Sequence, residues 1–459
     1  MNNFYISDIE KGGHIHFIGI GGISMSALAS IAKDRGYKVS GSDINESHIT
    51  KKLEQEGIKI YKGHSASNVL GADLVVYTAA VNNENVELEY ALENSILAVE
   101  RSVFLGALMR DYSSSICVSG THGKTTTTSM MTHVLLSCDA DPTIMLGGEL
   151  DAIGGNMRIG KSNVFLTEAC EYHCSFLEFF PKIAIITNVD EDHLDFFKNF
   201  DNIKKAFREF AAIPEDDGYV IVCGDDKDAV DCAKEARAQI LTYGFSEENI
   251  FCPQNLCYNE GCGEFDIEYD GKIIHVRLQA AGEHNVQNAL ACFAAGYALG
   301  LDGEMIARGL EEFKLVHRRF EKKGTCNGAQ IIDDYAHHPT EIKCTLKTAK
   351  NVCKNKLYVA FQPHTYTRTK TLIDEFEKAF DYADEIVVVD IYAAREKDTG
   401  LIHSRDLVER LVKRGKNACY ASSFDEAADI LSKKLCDGDI IITMGAGNIY
   451  KLGDILENK

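Results

Sequence analysis

Ile116-Cys117-Val118-Ser119-Gly120-Thr121-His122-Gly123-Lys124-Thr125 is an apolar run that stops at a glycine and restarts at a Gly-Lys-Thr. A strand ending in such a turn and passing into a helix is a phosphate cradle. Backbone N–H groups and the helix N-terminus face the anion, Lys124 supplies a compact positive charge, and the Thr125 hydroxyl suits Mg²⁺. The usual phosphate loop carries a longer spacer between its glycines. Here only Thr121 and His122 separate Gly120 from Gly123, a shortened form that narrows the field. The pattern predicts a helix over 124–136.

Outward from the loop the chain reads as α/β. Upstream, His14–Ile20, a segment beginning at Tyr37–Val39, Ile58–Tyr61 and Leu74–Thr78 are predicted strands, with a helix at Ser24–Arg35. Downstream, strands are expected at Val164–Thr167 and Ile183–Thr187. An irregular β-rich stretch over about 219–278 follows, with a hairpin of Phe265–Tyr269 and Ile273–Leu278. An alanine-rich helix at Asn285–Leu299 comes next. Strands at Ala329–Ile332, Leu357–Phe361, Ile386–Val389 and Ile440–Thr443 close the pattern. A chain of 459 residues suggests about three domains, drawn here at 1–111, 112–318 and 319–459.

The net charge of −21 argues against a nucleic-acid partner, which needs a basic face. The fifteen cysteines show no paired Cys-x-x-Cys elements, so they read as thiols of a reducing cytosol and not as a zinc site. The N-terminus lacks the basic-then-apolar order of a secretory signal, and no apolar run reaches about 18 residues. A cytoplasmic protein without a membrane segment is expected.

Other strand ends carry chemistry. Gly19-Ile20-Gly21-Gly22-Ile23-Ser24, with Asp43 about 20 residues further on, mimics a dinucleotide fingerprint. It lacks the third glycine in register, so any nucleotide with a pyrophosphate fits. Thr167-Glu168-Ala169-Cys170-Glu171 places carboxylates where an α/β sheet binds its ligand and where Mg²⁺ would be shared with Thr125. Glu171 reads equally well as a solvated loop carboxylate. Asn188-Val189-Asp190-Glu191-Asp192-His193 is a second candidate metal or phosphate site. His284 and Asn285 either meet an adenine or cap the helix, and local logic favours the cap. Gly445-Ala446-Gly447 reads as a plain strand-to-helix turn. Asp333-Asp334-Tyr335-Ala336-His337-His338-Pro339-Thr340-Glu341 and Gln362-Pro363-His364-Thr365-Tyr366-Thr367-Arg368 are too polar for core, and Arg368 suits a carboxylate or phosphate.

Together these motifs resemble the Mur ligases, over all three segments and in order. The resemblance implies a three-domain α/β fold: a Rossmann-like N-terminal domain for a UDP-sugar, a central P-loop-type ATPase domain and a Rossmann-like C-terminal domain for an amino acid. Gly19-Ile20-Gly21-Gly22-Ile23-Ser24-Met25-Ser26 points within the family to the step that joins L-alanine to the lactyl carboxylate of UDP-N-acetylmuramate, with ATP, through an acyl phosphate, in peptidoglycan synthesis.

The resemblance also assigns residues. Gly120, Thr121, His122, Gly123, Lys124, Thr125, Thr126 and Asn285 would hold ATP, with Asn285 at the adenine. Lys124, His122, Glu168 and His193 would be catalytic, and Thr125, Glu168 and His193 would hold Mg²⁺. Gly19, Gly21, Gly22, Ser24, Asp43 and His64 would hold the UDP-sugar. Tyr335, His337 and Arg368 would surround L-alanine. Thr365 stands where some relatives carry Arg, which shifts anion binding onto Arg368. Related ligases for later residues carbamylate a Lys about 15 residues after the metal His; the register here falls on Arg208, so no carbamylation is expected. A ligase adding a tripeptide to the same sugar, an NAD-dependent dehydrogenase and a non-catalytic nucleotide switch are the competing readings. The oligomeric state is left open, a homodimer among the options.

Overall fold

The computed structural model describes residues 4–78, 81, 84–314, 317–394 and 396–459, the side chain at 195 apart. It contains four sheets. The first holds β1 (His14–Ile18), β2 (Lys38–Asp43), β3 (Lys59–Lys62), β4 (Leu74–Tyr77) and β5 (Leu97–Glu100) in the order β3-β2-β1-β4-β5. Every neighbour is parallel. The order reverses between β1 and β4, the switch point where such sheets bind ligands beyond the carboxyl ends of their strands.

The second sheet is built on β6 (Ser114–Ser119), the strand before the phosphate loop. It adds β7 (Thr143–Leu150), β8 (Gly155–Arg158), β9 (Val164–Glu168), β10 (Ile183–Ile186), β11 (Tyr219–Cys223) and β12 (Gln239–Tyr243) in the order β12-β11-β10-β6-β9-β7-β8. Only β8 runs antiparallel. The expected irregular stretch from 219 is corrected here, because β11 and β12 are regular parallel strands extending this sheet. Val220, Ile221 and Val222 are all buried, the continuous apolar run of a parallel strand covered on both faces.

A three-stranded sheet follows, β13 (Gln254–Asn259), β14 (Cys262–Tyr269) and β15 (Lys272–Ala281). Its last two strands are the predicted hairpin. The fourth sheet holds β16 (Glu321–Cys326), β17 (Ala329–Asp334), β18 (Leu357–Phe361), β19 (Glu385–Val388), β20 (Asn417–Tyr420) and β21 (Ile440–Met444), ordered β16-β17-β21-β18-β19-β20 with β16 alone antiparallel. β18 and β21 at its centre are buried at every position and separate two cores, one around Phe361, Phe376 and Phe380, the other around Tyr358, Leu431 and Leu452.

The chain divides into two compact units. One comprises Met1–Pro253, Ile267–Ile274 and Asn288–Leu310; the other comprises Gln254–Asp266, His275–Gln287 and Glu311–Lys459. Among the described residues no helix is long and apolar enough to cross a membrane.

Candidate active site

In the first unit β6 delivers the chain to Gly120, which has φ 134°, and the turn closes at Gly123, with φ 83°. Both angles favour glycine. A Cβ on Gly120 would strike the Thr187 hydroxyl, and one on Gly123 would lie 3.1 Å from Asn288 Oδ1. The helix Lys124–Ser137 starts at once, and two of its buried threonines bond back one turn: Thr128 Oγ1 donates to the Lys124 carbonyl at 2.8 Å and Thr132 Oγ1 to the Thr128 carbonyl at 2.9 Å. Thr126 is buried in the first turn.

The end of β10 locks the loop. The His122 N–H donates to Asn188 Oδ1 at 2.8 Å, and Thr187 Oγ1 and Asn188 Nδ2 donate to the His122 carbonyl at 2.6 and 3.0 Å. The His122 ring bonds Asp190 Oδ2 through Nε2 at 3.1 Å. The Asp190 N–H donates to Thr121 Oγ1 at 2.9 Å.

Lys124 Nζ donates to the carbonyls of Gly120 and Thr121 and to both oxygens of Glu171, at 3.1 and 2.9 Å. Burial pulls the Lys124 pKa down, and Glu171 more than offsets it, so the ammonium is held above its ordinary value. Glu171 is only 2 % exposed. It is therefore not a solvated loop carboxylate. His193 Nε2 lies 3.9 Å from Glu171 Oε1, and its ring packs on Tyr172 with centroids 4.5 Å apart. Thr125 Oγ1 donates to Glu168 Oε2 at 3.0 Å, and the Gly147 N–H donates to Glu168 Oε1 at 2.7 Å. A hydroxyl and carboxylates gathered beside a phosphate loop are the hard oxygen donors Mg²⁺ takes.

The glycine turn after β1 also lies in this unit. Gly19 has φ 79°. The Gly21 N–H donates to Asp43 Oδ2 at 2.9 Å, and the Asn45 N–H to Asp43 Oδ1 at 2.9 Å, so Asp43 holds the turn in shape. Ser24 Oγ accepts from Arg101 Nη1 at 3.0 Å. Arg101 is a cation that sequence reasoning missed. His64 Nδ1 bonds Glu87 Oε2 at 3.0 Å; Glu87 is fully buried and also accepts from Ser42 Oγ at 2.5 Å and Asn68 Nδ2 at 2.6 Å. Burial would raise the Glu87 pKa, but its bonds to His16, Ser42 and Asn68 bring it down to about 2.

The second unit gathers the residues predicted around the amino acid. The Tyr335 and His337 rings meet edge-on at 5.4 Å, His337 and His364 at 5.6 Å, and Arg368 Nη1 bonds His364 Nδ1 at 3.1 Å. Arg318 and Arg319 lie over the Tyr335 ring at 5.0 and 5.2 Å. Both were missed, although two adjacent arginines at the boundary of the second and third segments were a readable signal. Arg318 Nε also donates to the buried Asp333 at 3.1 Å. Asp334 accepts from the Phe320 and Ala336 N–H groups, each at 2.8 Å, while burial pushes its pKa up to about 6. Asn285 does not sit at a helix cap. It lies inside the first turn of Glu283–Ala298, buried, with Nδ2 donating to the Ala281 carbonyl at 2.7 Å. Beside it, burial and then Arg319 bring the His284 pKa down to about 4.

Family models match along the chain: the catalytic domain of the Mur ligase family over residues 14–113, the Mur ligase middle domain over 118–296, and the Mur ligase glutamate ligase domain over 318–447. The chain is 50 % identical over 456 residues to the UDP-N-acetylmuramate–L-alanine ligase of Caldanaerobacter subterraneus subsp. tengcongensis, covering 98 % of this chain and 99 % of that one. The crystal structure of UDP-N-acetylmuramate–alanine ligase from Thermotoga maritima superposes with a TM-score of 0.78 at 32 % identity, over 97 % of this chain and 98 % of that one. A murein peptide ligase from Psychrobacter arcticus superposes with a TM-score of 0.70 at 25 % identity, over 98 % and 99 %.

Proposed function

Because this chain belongs to the Mur ligase family, we propose that it joins L-alanine to the lactyl carboxylate of UDP-N-acetylmuramate, driven by ATP, in peptidoglycan synthesis. The observation that carries the choice of substrates is the 50 % identity, over almost the whole chain, to a ligase with that activity. The tripeptide-adding alternative is represented by the UDP-N-acetylmuramate:L-alanyl-γ-D-glutamyl-meso-diaminopimelate ligase structure from Neisseria meningitides, at 29 % identity over 67 % of this chain. The roles of the three segments, UDP-sugar at 1–111, ATP at 112–318 and amino acid at 319–459, are part of the proposal. So is a cytoplasmic location, where sugar nucleotides and ATP occur.

The reaction begins with two anions, the lactyl carboxylate and the γ-phosphate, and must offset their repulsion. Thr125, Glu168 and His193 would hold Mg²⁺, which would supply charge neutralisation on the phosphates. Lys124 exchanges Glu171 for the β/γ-phosphate oxygens, and the backbone N–H groups of Gly123, Lys124 and Thr125 at the helix start fix the phosphate chain. His122, held by Asp190, keeps its ring beside the carboxylate. The carboxylate attacks the γ-phosphorus, ADP leaves, and an acyl phosphate forms. Arg368, with His337 and Tyr335, orients L-alanine by its carboxylate. Its free amine attacks the acyl carbon, phosphate departs and an amide remains. Arg101 and His64 hold the UDP-sugar with the Gly19–Gly22 turn, and Asn285 meets the adenine.

The test is phosphate release with ATP, Mg²⁺ and UDP-N-acetylmuramate against L-alanine, glycine, L-serine and the tripeptide. L-Alanine should give the highest kcat/KM. Preference for the tripeptide would replace this reading with the recycling one.

A further inference from the structure

The loop that carries His364 and Arg368 is held from outside by the Glu396 carboxylate. The helix Tyr366–Thr371 is short, and its cap residue Thr365 makes no side-chain capping bond. Thr365 also has φ 62° and ψ 145°, a region that a β-branched residue enters only under constraint. Something beyond local preference therefore fixes this turn.

Tyr392 and Glu396 provide it. The Thr365 N–H donates to the Tyr392 carbonyl and the Tyr392 N–H to the Pro363 carbonyl, each at 2.9 Å. The His364 and Tyr392 rings stack at 5.8 Å and 23°. Glu396 then reaches the open helix end: its carboxylate accepts from the Tyr366 N–H at 2.7 Å, the Thr367 N–H at 3.0 Å and the Thr367 hydroxyl. A carboxylate at a helix N-terminus satisfies donors that would otherwise lack partners and complements the helix dipole. Arg368 follows directly in that first turn and is tied back to His364 at 3.1 Å.

We propose that Glu396 is a positioning residue for L-alanine: by capping the helix Tyr366–Thr371 from a separate loop, it fixes the Arg368 guanidinium in the orientation that binds the amino-acid carboxylate. The inference rests on the assignment of Arg368 to L-alanine. It explains how a strained Thr365 can stand in this turn, since Glu396 supplies the cap that the local sequence lacks.

Glu396 is partly exposed, so its variants can be expected to fold. Glu396→Ala should raise the KM for L-alanine about fivefold to tenfold, the effect of losing one helix cap, with the KM for ATP and for UDP-N-acetylmuramate within about twofold of the parent. Glu396→Gln keeps an acceptor oxygen at the same reach and should bring the L-alanine KM most of the way back. A purely structural role would lower the melting temperature and the active fraction with all three KM values unchanged, and that result overturns the proposal. So does an equal rise in all three, or a Gln variant no better than Ala. Parent enzyme runs alongside: if it shows no L-alanine-dependent phosphate release, the functional reading fails; if it does, an unmoved L-alanine KM in Glu396→Ala counts against the positioning role alone.

Discussion

Replacing Lys124 by Met should cost stability as well as activity, and the two losses should separate in a double variant. The Lys124 side chain is 16 % exposed and its partner Glu171 side chain 3 %, with Nζ 2.9 and 3.1 Å from the two carboxylate oxygens. Met has nearly the volume of Lys, so packing is kept while Glu171 loses its ammonium. Breaking a buried pair from one side costs about 3–5 kcal/mol. His193, 3.9 Å from Glu171 Oε1, offsets part of that, which places the expected loss near about 3 kcal/mol. Lys124 has a raised pKa, so its contribution is fully present at neutral pH and is lost only above about pH 10.4. Adding Glu171→Gln removes the stranded charge, and stability should return to within about 1 kcal/mol of the parent, a recovery of roughly 2 kcal/mol over the single variant. Turnover should not return, because the cation at the transferred phosphate is still absent; a loss of order 10²–10³ or more in kcat is expected for both. Urea unfolding followed by circular dichroism measures the first quantity, since the chain has no tryptophan, and coupled phosphate release measures the second. A Lys124→Met protein as stable as the parent, or a double variant less stable than the single, would refute the pairing argument. Near-normal turnover in folded Lys124→Met would remove the phosphate-loop assignment.

Arg368→Ala should raise the KM for L-alanine more than that for ATP; a change confined to ATP in initial-rate kinetics would move Arg368 to the nucleotide. Glu87, with its pKa brought from 4.5 to about 2, should contribute roughly 3 kcal/mol. That stability is present above about pH 4.5 and lost as pH falls toward about 2, so urea midpoints of Glu87→Gln should change less between pH 5 and pH 3 than those of the parent; parallel curves would contradict the estimate. His337→Ala should still move label between the substrate carboxylate oxygens and phosphate while losing amide formation, whereas Glu168→Ala should lose both. Full exchange by Glu168→Ala with none by His337→Ala would reverse the placement of the two half-reactions.

What was legible in the sequence was local. The apolar run of β6, the two glycines and the Lys-Thr that follow are contiguous, so strand, turn and helix could be read without tertiary information. The same holds for β17, β18 and β21, whose apolar runs end in Asp333-Asp334, Gln362-Pro363 and Gly445. β11 and β12 were harder. Tyr219–Cys223 is an apolar run like β10, but its neighbourhood of turns and the hairpin at 262–281 masked the parallel pairing. The pairing of Glu171 with Lys124 depends on a turn in which His173 and Cys174 take φ 55°, a conformation that residue identity does not announce. Glu396 reaches Thr367 from 29 residues away, and Arg101 reaches Ser24 from 77. No periodicity or spacing encodes such contacts, which exist only once the sheets are assembled. Asn285 shows the opposite failure: a good capping residue by type, it lies inside the first turn with its side chain bonded back to the Ala281 carbonyl.

The most direct measurement of the central claim follows one oxygen. UDP-N-acetylmuramate labelled with ¹⁸O in its lactyl carboxylate is turned over with ATP, Mg²⁺ and L-alanine, and both products are analysed by mass spectrometry. Acyl-phosphate ligation predicts that one labelled oxygen per turnover passes into the released phosphate and that the sugar nucleotide gains an alanyl residue in amide linkage. Unlabelled phosphate, or phosphate released without an alanyl product, would contradict it.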